Sequence, residues 1–229
     1  MRNGCTGEAP ALQLGSTSFR VVDADITALA VDAIVNSANT HLELGGRRSI
    51  AGAIQRKTGG RIDEVLAEFE RPIPIGSMVV TEGLGLPCKH IFHVATHGTI
   101  EEEEVEGMDH DTLRLKAVGD SAVASVAEAR RLGCRSLAVP ALATGALRFP
   151  ISLVMPVLVN TLVDEIRANG ADIELVYIVV YRDPAKLAVA EQALRSAVAD
   201  AANVLHASSG SASAGYDTAG DSAGRLMLE

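Results

Sequence analysis

The chain has 229 residues, of which 48% are hydrophobic, and its formal net charge at pH 7 is −9. These values predict one sizeable hydrophobic core, and they argue against nucleic acid as a main partner because a polyanion is held by many Lys and Arg contacts. No apolar run approaches the roughly 20 residues of a membrane span, and the N-terminal residues lack the apolar segment of a secretory signal. We therefore expect a cytoplasmic protein without a membrane partner.

The first third of the chain predicts two strands, a polar loop and a helix. Residues 19–23 and 32–35 have the apolar pattern of strands, and residues 36–39, Asn-Ser-Ala-Asn, end the second strand with two amides. Gly45 and Gly46 follow, and then a helical pattern begins at about residue 50. This order of strand, glycine loop and helix presents backbone N–H groups and a positive helix end to phosphate.

The remaining elements alternate between strand and helix. We predict strands at residues 78–81, 90–94, 136–139 and 173–181, and helices at residues 61–70, 112–132, 151–168 and 184–202. This alternation predicts a layered α/β fold in which much of the sheet is parallel. We expect a single domain over residues 18–204, an N-terminal extension over residues 1–17, and a disordered tail over residues 205–229. The tail is rich in Ala, Ser and Gly, which bury too little surface to offset their ordering entropy.

Several motifs resemble the macrodomain family, and in particular its stand-alone microbial branch. The family pattern is a strand ending in NAAN, a glycine-rich loop and a helix, preceded by an Asp-Ile pair that corresponds here to residues 25–26. Residues 140–145, Pro-Ala-Leu-Ala-Thr-Gly, resemble the second phosphate loop of the family, and the likeness extends over about residues 19–193. The resemblance implies a three-layer α/β/α fold around a central mixed, largely parallel sheet. It also implies that the ligand is ADP-ribose or a related nucleotide, with ADP-ribosylated protein as a further candidate partner.

The resemblance also implies roles for four side chains or backbone groups. Asp25 would accept a hydrogen bond from the adenine amino group, and Ile26 would add its backbone N–H and an apolar wall. Tyr181 would stack on the base, and Asn39 would hold the hydroxyls of the distal ribose. Asn39 is also our candidate catalytic residue. The plainer alternatives are a capping carboxylate, a core aromatic ring and an amide that caps a turn.

Two loops are implied to hold the diphosphate through their backbone N–H groups. The first contains Gly45, Gly46, Arg47, Arg48, Ser49 and Ile50, and the second contains Ala143, Thr144, Gly145, Ala146, Leu147 and Arg148. Helix N-termini and loops of this kind bind anions well. The alternative interpretation is an ordinary strand-to-helix turn.

Both loops depart from the family pattern. Where similar proteins have GGGV, the first loop reads Gly-Gly-Arg-Arg-Ser-Ile over residues 45–50, which replaces one glycine and adds two residues. In the second loop Leu147 and Arg148 replace flexible glycines. A side chain resists the positive φ and the close backbone approach that glycine permits. Either the arginines supply guanidinium donors to phosphate, which we favour because both loops gain arginine in an acidic chain, or the pocket is partly closed.

Catalysis has less support than binding. Ala51 occupies the position at which hydrolytic relatives carry an Asp, and no other acid or base in the matched loops is an evident replacement. Three hypotheses follow: an ADP-ribose-binding module, a hydrolase of ADP-ribosyl or O-acetyl-ADP-ribose esters, and a degenerate domain that binds another nucleotide or serves as an interaction scaffold. No metal or cofactor is implied, and we expect Asn36 and His93 to be structural.

Overall fold

The computed structural model describes residues 11–99, 108–145, 147–170 and 172–210, with side chains to residue 203. Within these residues the strands are β1 (Leu12–Leu14), β2 (Thr17–Asp23), β3 (Ala33–Asn39), β4 (Met78–Glu82), β5 (His90–His97), β6 (Ser136–Pro140) and β7 (Leu175–Val180). The helices are α1 (Ile50–Lys57), α2 (Arg61–Leu66), α3 (His110–Arg131), α4 (Ile151–Asn169) and α5 (Pro184–Gly210), and a short 3-10 turn spans Ile26–Ala28.

The seven strands form one sheet in the order β1-β2-β7-β6-β3-β5-β4. Strands β2, β7, β6, β3 and β5 are parallel to one another, whereas the two edge strands β1 and β4 are antiparallel to their neighbours. This confirms the predicted α/β class with a mixed, largely parallel sheet. The carboxyl ends of the five parallel strands lie on one edge, and the loops that follow them gather there.

Both faces of the sheet are covered by helices, which confirms the three-layer architecture. On one face, Val35, Phe92 and their neighbours pack against α3, α4 and α5. On the other face, residues such as Ile34 and Ile91 pack against α1 and α2. The alternation of Ile34 and Val35 between the two cores follows from the two-residue period of a strand.

Strand β3 is longer than its apolar pattern predicts. Asn36 lies fully buried in the sheet, where its Nδ2 is 3.1 Å from His93 Nδ1, and His93 Nε2 is 3.0 Å from Thr81 Oγ1. Burial lowers the pKa of His93 to about 4, so the ring is neutral and can donate through one nitrogen while it accepts through the other. The structural roles expected of Asn36 and His93 are therefore confirmed.

Two elements near the ends of the chain were not expected from the sequence pattern. The short strand β1 lies within the predicted N-terminal extension and pairs with β2, and three residues are too few for periodicity to reveal. At the other end α5 continues to Gly210, beyond the predicted helix end at residue 202. The rest of the predicted tail, residues 211–229, lies outside the described residues, as do residues 1–10.

None of the helices in the described ranges is long and apolar enough to cross a membrane.

Candidate functional site

Most of the predicted site residues lie at the carboxyl edge of the parallel strands. Asp25 and Ile26 follow β2, Tyr181 follows β7, the second predicted loop follows β6, and Asn39 ends β3 ahead of the first loop. Because β2, β7, β6 and β3 are consecutive in the sheet, residues that are far apart in sequence become neighbours along one edge. Ala146 of the second loop lies outside the described residues.

Both carboxylate oxygens of Asp25 have hydrogen-bond partners. Oδ1 accepts from the backbone N–H of Thr27 at 3.0 Å and from its hydroxyl at 2.6 Å, and Oδ2 accepts from Lys57 Nζ at 2.9 Å. Partial burial raises the pKa of Asp25, but the hydrogen bonds from Thr27 and Lys57 lower it by more, so the pKa lies below its ordinary value. Asp25 is therefore a charged acceptor at neutral pH.

The Ile26 side chain is 3% exposed and belongs to the core beneath α1, which leaves its backbone as the part that can face a ligand.

Tyr181, in contrast, is 55% exposed. It lies beside the Asp25 segment because the Ala24 N–H donates to Val180 O at 3.0 Å. The Arg182 guanidinium lies 5.0 Å from the centre of the Tyr181 ring, which is a cation-π contact.

Asn39 lies at the end of β3, opposite His97 of β5, just after an irregularity in the pairing of these strands. Its Oδ1 accepts the Glu43 N–H at 3.0 Å, as expected of an amide that caps a turn. The bond uses the oxygen of the amide, and the NH₂ group remains as a donor for a hydroxyl.

The first loop is fastened to the start of α1 by Ser49. The Ser49 hydroxyl accepts from the Gly52 N–H at 2.9 Å, caps the helix, and lies against the carbonyl oxygens of Gly45 and Gly46. Gly46 has a φ of 87°, a backbone conformation that favours glycine. Within the described residues the N–H groups of Ile50 and Ala51 have no protein acceptor, as is usual in a first helical turn.

Gly52 permits the first loop to lie directly on α1. A Cβ atom at this position would be 2.0 Å from Gly46 O and 3.1 Å from Gly45 O. These contacts are with backbone atoms, which cannot rotate away as a side chain can. The geometry of the loop therefore depends on a glycine that lies outside the loop.

The second loop keeps left-handed backbone conformations without glycine. Ala143 has a φ of 58° and Arg148 a φ of 52°, so an arginine adopts the conformation for which the family pattern provides a glycine. The Thr144 N–H and hydroxyl both bond Ala141 O, at 3.3 and 2.8 Å. Of the loop amides expected to bind phosphate, the one at Gly145 has no acceptor among the described residues. Leu147 packs partly against the main core.

Four exposed arginines lie at this edge, three of them in the two loops. Arg47 and Arg48 lie in the first loop, Arg148 in the second, and Arg182 follows β7. In the described ranges none of them has a carboxylate ion-pair partner. These four guanidinium groups are therefore available to pair with an anion, on a chain whose net charge is −9.

Three contacts at this edge were not predicted from the sequence. Ser37 Oγ accepts the Ala143 N–H at 3.5 Å and links β3 to the second loop, and Lys186 Nζ donates to Thr144 O at 3.1 Å. The third contact is the Asp25–Lys57 ion pair. Among the described residues there is no group of three His, Cys, Asp or Glu side chains placed to hold a metal ion.

The family model for the Macro domain matches residues 35–158, which is more than half of the chain. The chain is a member of the Macro domain family. A Macro domain-containing protein of Lactiplantibacillus plantarum is 33% identical over 72% of this chain and 90% of its own length. An O-acetyl-ADP-ribose deacetylase of Citrobacter rodentium is 34% identical over 72% of this chain and 89% of its own length.

A solved macrodomain structure agrees with this assignment at the level of the fold. The Oceanobacillus iheyensis macrodomain with ADP has a TM-score of 0.73 and 20% sequence identity, over 85% of this chain and all of that chain. The macrodomain fold expected from the sequence motifs is thus confirmed.

Proposed function

We propose that this macrodomain binds ADP-ribose, or a derivative of it, along the carboxyl edge of the sheet. The observation that carries the proposal is the order of the groups along that edge. An acceptor for the base follows β2, an exposed aromatic ring follows β7, an amide-bearing loop follows β6, and Asn39 with the glycine loop follows β3. Base, diphosphate and distal ribose have the same linear order in ADP-ribose.

Spacing and charge along the edge support the same ligand. Neighbouring strands are about 4.8 Å apart, so the three steps from β2 to β3 cover roughly 14 Å, which suits an elongated dinucleotide better than a single nucleoside. The Gly145 amide and the first turn of α1 offer N–H donors in the middle of this path. The arginines of both loops add charge that favours a diphosphate.

Replacement of Asp25 by asparagine tests the proposal. The Asp25→Asn variant can keep its Oδ1 bonds to Thr27, but it places an NH₂ donor where Oδ2 faces the base. We expect calorimetric titration to give an affinity for ADP-ribose that is about 10–100-fold lower than that of the wild-type chain. The matched control is Asp164→Asn, at an exposed Asp–Arg pair on α4, which should bind as the wild type does.

The two alternatives predict different titrations. A degenerate domain would bind ADP-ribose neither before nor after the Asp25→Asn substitution. Equal affinity of the wild-type and Asp25→Asn chains would remove Asp25 from the site and contradict the proposed orientation of the base.

A second candidate function is hydrolysis of an ADP-ribose ester, which the similarity to an O-acetyl-ADP-ribose deacetylase favours. In this mechanism a phosphate-anchored water attacks the acyl carbon, the ester C–O bond breaks, and the ribose hydroxyl leaves with a proton. Ala51 offers no acid or base that could activate this water. The role of Asn39 would be to orient the ribose for attack.

Variants of Asn39 test this second function. We expect Asn39→Ala to lower turnover of O-acetyl-ADP-ribose at least about 100-fold, because a small misplacement of the reacting group is costly. Asn39→Asp keeps an acceptor for the Glu43 N–H but loses the NH₂ donor, and it should be similarly inactive with an unchanged melting temperature. Undiminished release of acetate by Asn39→Ala, followed by NMR, would exclude this role.

A further inference from the structure

The ion pair between Asp25 and Lys57 is one of the three contacts at the proposed site that the motifs do not account for. Lys57 Nζ lies 2.9 Å from Asp25 Oδ2, and the two side chains are 41% and 37% exposed. The pair is therefore accessible to a ligand. It joins residues 32 positions apart and places a positive charge beside the acceptor proposed for the base.

Lys57 is positioned by its helix rather than projecting freely into solvent. It lies in the last turn of α1, three residues after the fully buried Ile54, and residues with this spacing lie on the same side of a helix. This directs the Lys57 stem toward the 3-10 turn Ile26–Ala28, which follows directly after Asp25. A cation near a helix C-terminus is also favoured by the helix dipole.

The Asp25–Lys57 pair can both accept hydrogen bonds from a base and donate hydrogen bonds to it. A carboxylate has about four lone-pair sites, and Thr27 and Lys57 occupy three of those on Asp25. An ammonium group has three donors, of which Asp25 uses one. The edge of an incoming base therefore meets one free acceptor beside two free donors, where a lone carboxylate would present acceptors only.

We propose that Lys57 determines base specificity and that the Asp25–Lys57 pair accepts purines with either an amino or an oxo group at position 6. This inference rests on the proposed function. Adenine offers an amino donor beside a ring-nitrogen acceptor, which suits Asp25 and Lys57 respectively. Hypoxanthine offers an N1–H donor beside the O6 acceptor, and the flexible Lys57 stem allows the ammonium to reach O6 while Asp25 takes N1–H.

Without Lys57, Asp25 could still accept the N1–H of hypoxanthine, but the neighbouring O6 atom would have no donor and would lie close to the second carboxylate oxygen. A site that leaves two acceptors facing each other rejects a ligand far more strongly than one that loses a single contact. Removal of Lys57 therefore costs the adenine ligand one hydrogen bond, but it costs the hypoxanthine ligand a hydrogen bond and leaves two acceptors facing each other, so the ratio of the two affinities should change.

The test compares ADP-ribose with the same dinucleotide carrying hypoxanthine in place of adenine, by calorimetric titration. We expect the wild-type chain to bind the two ligands within about tenfold of each other, and Lys57→Met to widen the ratio by about a further tenfold through loss of the hypoxanthine ligand. Lys57→Arg keeps a cationic donor and should restore most of the ratio. Lys89→Met removes a similar ion pair, to Asp32 at the opposite edge, and should leave the ratio unchanged.

Two results would overturn the inference, and they are distinguishable. If ADP-ribose binds and Lys57→Met leaves the ratio of affinities unchanged, Lys57 has no role in base choice, although the proposed function stands. If the wild-type chain binds neither ligand, the proposed function fails and the inference fails with it.

Discussion

Replacement of Gly52 by alanine is expected to displace the first loop and to weaken ligand binding. The added Cβ would lie 2.0 Å from Gly46 O, so either the loop or the start of α1 must move. Movement breaks the Ser49 cap on the Gly52 N–H and turns the Gly45-Gly46 segment away from the edge. We expect the free energy of unfolding to fall by about 2–3 kcal/mol and the affinity for ADP-ribose to fall by more than about tenfold.

The control for this variant is another glycine inside a helix. At Gly119 of α3 an added Cβ would meet its nearest neighbours at 3.8 Å, which is an ordinary contact. Gly119→Ala should therefore raise the free energy of unfolding by about 0.5–1 kcal/mol, because alanine is the better helix former, and should leave binding unchanged. Urea unfolding and calorimetric titration of both variants make the comparison. Equal stability of the two would show that the loop does not rest on α1.

Replacement of Asp32 by alanine is expected to give the largest loss of stability among the charged positions. The Asp32 carboxylate accepts the backbone N–H groups of Arg135 and Ser136 at 2.8 and 3.0 Å, and it pairs with Lys89 at 2.7 Å. These contacts tie the amino ends of β3, β5 and β6 together. Their loss leaves backbone donors without acceptors, and we expect the free energy of unfolding at pH 7 to fall by about 3 kcal/mol.

The same carboxylate predicts a pH dependence. Burial raises the pKa of Asp32, but the bonds from Lys89, Arg135 and Ser136 lower it by more, from 3.8 to about 2. Because the folded pKa lies below the unfolded one, the contribution is complete above about pH 4 and disappears as the pH falls toward 2. This difference corresponds to about 2 kcal/mol.

Urea unfolding at pH 7, 4 and 2.5 measures this contribution. The wild-type chain should lose more stability than Asp32→Ala does between pH 4 and pH 2.5. Asp120→Ala is the control, because Asp120 forms an exposed pair with Lys116 on α3, and its loss should cost less than about 1 kcal/mol. Parallel pH profiles for the wild type and Asp32→Ala would exclude the predicted linkage.

Patterns within short stretches predicted most of the fold. The apolar alternation of β2 and β5 and the periodicity of α3 and α4 were sufficient, because each element buries one face or one stripe. Strand β1 escaped prediction because three residues contain too little pattern. The extension of β3 through Asn36 also escaped prediction, because a buried amide in a strand requires a partner, here His93, that no local pattern identifies.

The candidate site was predicted as a set of residues but not as a set of contacts. Motifs indicated Asp25, Asn39 and Tyr181, and the parallel sheet places all three at one edge. The ion pair of Asp25 with Lys57 depends on how α1 lies over the sheet. The bond from the Ala143 N–H to Ser37 spans 106 positions, and such contacts follow from the tertiary fold alone.

Backbone-amide NMR during titration with ADP-ribose tests the central claim most directly. We expect the largest shift changes at the carboxyl edge, at Asp25, Gly46, Gly145 and Tyr181. The outer groove between α4 and α5, which has a volume of about 490 Å³ and is lined by residues such as Ser152 and Gln192, should stay unchanged. Shift changes confined to that groove, or none anywhere at millimolar ligand, would contradict binding of ADP-ribose at the carboxyl edge.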